Sequence, residues 1–202
     1  SFYEDNKTFV GQDGPQTNSP NVSNTGFYIR KFISEASGYT LRNYAENWWP
    51  WFRLGEIYLN AAEAAFELND EPTALPYINR LRQRAGFPAN SLTSLTIEKI
   101  QNERRVELAF EDHRYFDMKR WRIADITWNG NIDNDKAIVY GLYPYRIAVA
   151  KPGTQDQDKY IFVKTRSERF KVARTFQQSN YYSFIADDVI NNNPTIVKNP
   201  FQ

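Results

Sequence analysis

A mostly α-helical chain, with irregular loops and a minor β component, is what the sequence predicts, and three observations carry it. Apolar residues recur at helical spacing from residue 51 to 121. Glycine, proline and asparagine crowd the stretches on either side. The β-prone pieces, YIFVK and FKVAR among them, are short and scattered.

Residues 1–47 hold Gly11, Gly14, Pro15, Pro20, Gly26 and Gly38 among polar side chains and read as an irregular lead-in, with one strand expected at GFYIRKFI, 26–33. After Pro50, the run WFRLGEIYLNAAEAAFELND sets Leu54, Ile57, Ala61, Ala65 and Leu68 on one helical stripe, with Glu56, Glu63 and Glu67 elsewhere on the wheel. The alanines at 61, 62, 64 and 65 let another helix come close. The preceding WWPW, Trp48 to Trp51, is expected to pack as core or as a staple on this helix rather than to meet a ligand.

A break of about three residues at 69–71 leads into PTALPYINRLRQRAGF, whose prolines, Pro72 and Pro76, a helix tolerates near its first turn. Leu75, Ile78, Leu81 and Ala85 form its stripe, and Gly86 supplies the left-handed stop. Two helices joined so tightly must pack antiparallel, and the pair resembles a tetratricopeptide-type unit. A third helix is expected from the N-cap Thr96 through Trp121, with a break around Asp112. Beyond it the helical signal fades, Asn129-Gly130 marks a turn, and the C-terminal end is expected to be ordered by Ile185, Val189, Ile196, Val197 and Phe201. No low-complexity linker interrupts the 202 residues. They read as one domain: lead-in 1–47, helical core 51–121, and loops, short strands and an ordered end over 122–202.

The 25 Lys and Arg balance 24 Asp and Glu, so no basic field exists for nucleic acid or acidic lipid. Cysteine is absent, which removes disulfides, thiolate metal sites and a cysteine nucleophile. No window approaches the roughly 18 consecutive apolar residues of a membrane span. The surplus is aromatic: 14 Phe, 13 Tyr and 5 Trp, 16% of the chain.

Titratable groups are densest in ERRVELAFEDHRYFDMKRW, Glu103 to Trp121, which also holds the only histidine. Glu103, Glu107, Phe110 and Arg114 fall along one helix face. Catalysis by two carboxylates needs their pKa values pushed apart, whereas the nearby arginines keep both ionised. The expected reading is a structural network of Glu103, Glu107, Arg114, Asp117 and Arg120, closed by Trp121. His113 and Asp117, four apart, offer a nitrogen and an oxygen to a metal but lack the further ligands a site needs. The loop NGNIDND spaces Asn129, Asn131, Asp133 and Asp135 as a calcium loop does. It lacks the glycine at the sixth place and the glutamate at the twelfth, so a solvated turn is the plainer reading. None of HExxH, GxSxG, GxxxxGK[ST] or GxGxxG occurs. No cofactor is expected. Trp128, Tyr140, Tyr143 and Tyr145 sit in a polar, turn-rich region, where ring faces suit stacking on a sugar or peptide and a hydroxyl suits a hydrogen bond.

Four motifs then stand in order: RLGEIYLNAAEA (Arg53 to Ala64), YINRLRQRAG (Tyr77 to Gly86), ERRVELAFEDHRYFDMKRW, and NPTIVKNP (Asn193 to Pro200). From about residue 26 to the end the chain resembles the C-terminal part of the SusD/RagB family. The resemblance implies a helical fold built on tetratricopeptide-like pairs and a lipid-anchored protein on the outer face of the outer membrane. It implies capture of glycans, without bond-breaking, and delivery to a SusC-type TonB-dependent transporter. Rival roles are a RagB-like peptide receptor and a structural lid for the transporter; a carbohydrate-active hydrolase would need a carboxylate pair about 5 to 10 Å apart in a cleft. Members are longer, so an upstream half bearing the acylated cysteine is expected outside these residues, and with it any membrane attachment. Asp112 stands where the family pattern has glycine, and Ile185-Ala186 and Lys198 to Phe201 depart from its I-P and Q-N-P-G segments. The shared motifs are scaffold positions, so they transfer no ligand residue.

Overall fold

The computed structural model describes the backbone of 2–4 and 7–9 and residues 23, 27–33, 48–147, 153, 155, 159–167 and 170–201. Most of the lead-in, including its six marker glycines and prolines, therefore lies outside the described residues. The chain divides into two compact units, 30–120 and 1–29 with 121–202.

The first unit is helical. Helix α1 spans Leu54–Glu67 and α2 spans Glu71–Arg84, with a tight turn at 68–70 folding one back on the other. Asp70 caps α2 by accepting from the Thr73 N–H at 3.2 Å, which satisfies one of the four donors a helix start leaves open. Pro72 sits in that first turn as the sequence suggests, but Pro76 lies inside α2, beyond the turn where proline is free of cost. The helix carries it because Ala74, Ile78 and Leu81 are buried against α1 and hold the register that one missing backbone bond would loosen.

Helix α3, Ile97–Glu107, starts at Thr96, whose side chain accepts from the Lys99 N–H at 3.3 Å. The loop leading to it is pinned by Asn79, a buried amide that donates to the Leu92 carbonyl at 2.9 Å and accepts from the Leu92 N–H at 3.0 Å. Both halves of the amide are thereby satisfied, as burial demands. The expected third helix is broken at 108–112, where Phe110 and Asp112 adopt φ of 64° and 61°, and resumes as α4 over His113–Arg120. Asp112 thus keeps the left-handed turn that glycine adopts without strain.

Leu59, Ala62 and Ala65 of α1, Ala74, Ile78 and Leu81 of α2, and Leu95, Ile100 and Leu108 form one core. Leu59, Ile78, Ile100 and Met118 are fully buried, each side chain contributing about 2 kcal/mol. The expected α1 stripe is only partly right: Ala65 faces this core, while Leu54, Ile57 and Leu68 are exposed. Leu59 and Ala62 take their place inward, because α2 packs a neighbouring arc of the same helix.

The second unit is irregular. Strands β1 (Phe2–Glu4) and β2 (Lys7–Phe9) pair antiparallel, as do β3 (Tyr140–Arg146) and β4 (Tyr160–Arg166). The expected strand at 26–33 does not form in its described part: 27–30 make no strand and the chain turns at Lys31 and Phe32, closed by the Ile33 N–H donating to the Arg30 carbonyl at 3.2 Å. FKVAR makes no ladder either. Its successor Thr175 forms a lone bridge with Asn129, and single bonds from Arg174 N–H to the Ala137 carbonyl (2.9 Å) and Phe176 N–H to the Trp128 carbonyl (2.7 Å) tether the segment. Gly130 accommodates the approach with φ 76°, where a side chain would meet Thr175 at 3.0 Å.

The short helices α5 (Ala124–Thr127) and α6 (Asp187–Asn192) and a 3-10 turn at Gln178–Tyr181 complete the unit. The C-terminal end is held differently from expectation. Val189, Val197 and Phe201 are exposed, and only Ile185 and Ile196 are half-buried. Polar and aromatic contacts do the holding: the Arg122 guanidinium lies 4.7 and 5.0 Å from the Tyr181 and Tyr182 rings, Tyr182 packs on Phe201, and the Asn199 amide donates to the Ser183 carbonyl.

Candidate functional site

In the helical unit the charges of the 103–121 stretch turn inward onto arginines. Arg53, the residue before α1, donates from Nε to Glu111 Oε2 at 2.8 Å and from Nη1 to Glu107 Oε1 at 2.6 Å. Its Nη2 reaches the Glu107 carbonyl at 2.8 Å and Glu111 Oε1 at 2.9 Å. Lys31 joins from the turn before Ile33, donating to Glu111 and to the Ala109 carbonyl at 2.8 Å. Together these cations close the end of α3, where the last carbonyls lack helical partners. Gly55 makes room for them: a Cβ there would lie 2.3 Å from Arg53 Nη1 and 2.9 Å from Glu107 Oε1.

A second network is more deeply buried. Arg104 Nε donates to both Asp117 oxygens at 2.8 Å, and its Nη1 donates to Asn60 Oδ1 at 2.6 Å. Arg120 spans Asp117, through Nε at 2.9 Å, and Glu63, through Nη1 and Nη2 at 2.5 and 2.6 Å. Arg82 holds Glu103 at 2.9 Å. Arg114 is half-buried in the first turn of α4, and Trp121 is half-buried just after that helix.

These surroundings fix the ionisation. Burial works to raise the Glu111 carboxyl, but hydrogen bonds from Arg53 and Lys31 outweigh it and leave the group below the usual carboxylate range. Arg53 and Arg120 are held charged above the normal arginine value, chiefly by the hydrogen bonds to Glu111 and Glu63 respectively. Held below the usual carboxylate range, Glu111 carries no proton near neutrality and is not poised as a general acid.

His113 Nε2 stands 3.6 Å from Glu56 Oε2, while its proposed metal co-ligand Asp117 is fully engaged by Arg104 and Arg120. Among the described residues no group of three or more His, Asp or Glu side chains is placed to hold a metal ion. In the 129–135 loop the oxygens serve the loop itself. Asn129 Oδ1 accepts from the Asn131 N–H and Asn131 Oδ1 from the Asp133 N–H, at 3.0 and 2.9 Å. Asp135 accepts from Lys164 at 2.6 Å and the Tyr140 hydroxyl at 2.8 Å, which lowers its carboxyl below the ordinary value, the lysine bond contributing most.

The aromatic candidates do not form one platform. Tyr140, Tyr143 and Tyr145 all lie on β3, not in a turn, and the strand period of two sends Tyr140 to one face and Tyr143 with Tyr145 to the other. Tyr140 is already occupied, its ring by Lys164 at 4.1 Å and its hydroxyl by Asp135. Trp128 packs on Phe176, which packs edge-on against Tyr181 at 4.8 Å. Tyr181 in turn bridges the Asp125 carboxylate and the Ala124 N–H. Tyr143 and Tyr145 are half-buried and share their face with the cross-strand partners Val163 and Ile161, both exposed, so the paired residues there are uncharged, with Lys159 just before β4.

Three tryptophans also belong in the account of exposed rings. Trp48 and Trp51 are 89% and 86% exposed and Trp49 about half, so WWPW is not core in this chain. Helical periodicity gave no signal of this, since the run precedes α1 and its burial depends on what lies beside it.

The family model described as the SusD family matches residues 1–201, lead-in included. The chain belongs to the SusD family. A SusD-like protein of Formosa agariphila is 43% identical over 79 residues, 36% of this chain and 15% of that relative. Another from the same organism is 34% identical over 117 residues, 52% of this chain and 23% of the relative. The crystal structure of a SusD-like protein from Bacteroides fragilis superposes with a TM-score of 0.52 at 30% identity, covering 76% of this chain and 26% of that one. The mostly helical SusD-like fold is therefore shared, and this SusD-family chain spans about a quarter or less of the proteins it matches. No helix among the described residues is long and apolar enough to cross a membrane.

Proposed function

We propose that this chain is part of a nutrient-binding protein of the SusD/SusC system, which takes up oligosaccharides at the cell surface and hands them to a SusC-type TonB-dependent transporter. Family membership supports the general role, and with it attachment to the outer face of the outer membrane by a lipid outside these residues. The observation that carries the ligand contact is one face of the β3–β4 ribbon, where two half-buried tyrosines lie beside exposed apolar side chains. Tyr143 and Tyr145 stand two residues apart on it, with Ile161 and Val163 opposite. Rings at this spacing, about 7 Å, suit successive units of an extended neutral chain. The role is binding without bond cleavage, a reading supported by Glu103, Glu107, Glu111 and Asp117 each being held by arginines.

Calorimetric titration against a panel of glycans and peptides tests this. The combined Tyr143→Ala and Tyr145→Ala variant should weaken the bound glycan by about tenfold or more, with an unchanged melting temperature. Trp128→Ala should lower the melting temperature and spare affinity, since its ring is a packing residue. Wild-type affinity in the double variant removes this face as the site. A peptide ligand is the second reading, favoured by the ribbon having two strands among the described residues, to whose edges an extended peptide would add a strand. Binding of peptides and not glycans in the same panel selects it. Release of shortened products by the protein alone would select the hydrolase.

A further inference from the structure

We infer that Asn129 is a latent self-modification site, an asparagine that loses its side-chain amide when the 174–176 segment lets go of the loop. Of the asparagines in the chain only Asn129 is followed by glycine. Deamidation starts when the nitrogen of the next residue, its proton given up to water, attacks the asparagine Cγ. A side chain on that next residue hinders the approach, and glycine has none. The new C–N bond closes a cyclic imide as the Cγ–Nδ2 bond breaks, and ammonia leaves with a proton taken from water. A second water opens the imide at either carbonyl, giving aspartate or isoaspartate. Asn129 and Gly130 are both exposed, so that water has access.

The electrophile is prepared while the nucleophile is withheld. Asn129 Oδ1, the oxygen that gains charge during the attack, accepts from the Asn131 N–H and from Asn134 Nδ2, each at 3.0 Å. Donors already aimed at that oxygen stabilise the developing charge. Both belong to the loop itself, where Asn134 Nδ2 also donates to the Thr127 carbonyl at 3.2 Å. The nucleophile is the Gly130 nitrogen, and its N–H donates to the Arg174 carbonyl at 2.9 Å. While that bond stands, the proton stays on the nitrogen. The segment bearing the carbonyl is held by the Arg174 N–H on Ala137 and the Phe176 N–H on Trp128, at 2.9 and 2.7 Å, and by the Phe176 ring, which packs on Trp128 and Tyr181. Release is one-way: isoaspartate adds a carbon to the main chain, and the bridge from Asn129 to Thr175 loses its register.

The purified chain is incubated at mildly alkaline pH, folded and in urea, and the tryptic peptide 123–136 is followed by mass spectrometry. Conversion at Asn129 should be at least about tenfold slower in the folded chain. Phe176→Ala loosens the tether and should raise the folded-state rate several-fold, with faster hydrogen exchange at the Gly130 N–H. Adding Asn134→Ala removes one donor and should slow conversion in the folded chain while leaving the rate in urea as it was; a rate no slower overturns the prepared oxygen. Equal rates folded and in urea would overturn the proposal, as would conversion first at Asn131 or Asn134, which share the peptide. If Phe176→Ala does not fold, exchange and conversion are compared in the wild type at urea concentrations below its unfolding transition. Conversion that fails to rise with exchange at Gly130 then removes the gate.

Discussion

The buried ion networks of 53–120 and the β3–β4 ribbon use similar residue types to opposite ends. In the first, Arg104 and Asp117 are both buried and meet through paired bonds of 2.8 Å. In the second, Lys164 and Asp135 meet at 2.6 Å but stand in solvent, and the apolar side chains around them are exposed as well. Short distance is common to both, so distance does not separate scaffold from surface. Burial does: a charge taken out of water depends on its partner, whereas an exposed one returns to water when its partner is removed.

Removing one side of the buried pair is the sharpest way to break this contrast. Asp117→Ala leaves Arg104 buried, with only Asn60 in direct hydrogen bond, and should destabilise the chain by about 3 kcal/mol in urea unfolding. A loss near zero would mean that water reaches Arg104 and that the two regions do not differ as described. Acid comes next. The Glu111 carboxyl is depressed in the folded chain, so its contribution is present above the ordinary glutamate value near 4.3 and is lost as pH falls through the lower, folded value. Unfolding midpoints should fall steeply below about pH 4 in the wild type, and Glu111→Gln should flatten that limb.

A smaller effect is expected at the turn between the networks. Asp112→Gly relieves the left-handed backbone and should add about 0.5 kcal/mol, which thermal melting resolves as a rise of about 1 to 2 °C. Last, Lys164→Ala should leave the unfolding midpoint where it is. A clear loss would show that the ribbon depends on its ion pair and is part of the scaffold.

Much of the helical unit could be read from residues alone. Thr96 caps α3 as its side-chain chemistry suggests, and Gly86 ends α2 with φ 96°. The inward role of Glu107 and Asp117 was inferred from the density of arginines around them. Their partners were not. Arg53 lies 54 residues from Glu107 and Arg120 lies 57 from Glu63, and no local pattern encodes such pairings. Periodicity also misjudged the α1 stripe, because α1 is apolar over more than one arc and a wheel does not say which arc a neighbour takes. On β3 the reading of a loop hid the period of two, so three tyrosines that look equivalent in sequence were grouped although they point to opposite faces.

What the sequence by itself determined is the helices of 54–120 and the family. Helix spacing, caps and four ordered motifs are local, and short-range backbone physics and side-chain chemistry suffice to set them. What only the tertiary structure decided is which charges are buried, how far each tyrosine is covered and which arc of α1 packs on α2. Those outcomes depend on residues brought together from distant parts of the chain, and burial, which decides the energy of each, is a property of that assembly alone.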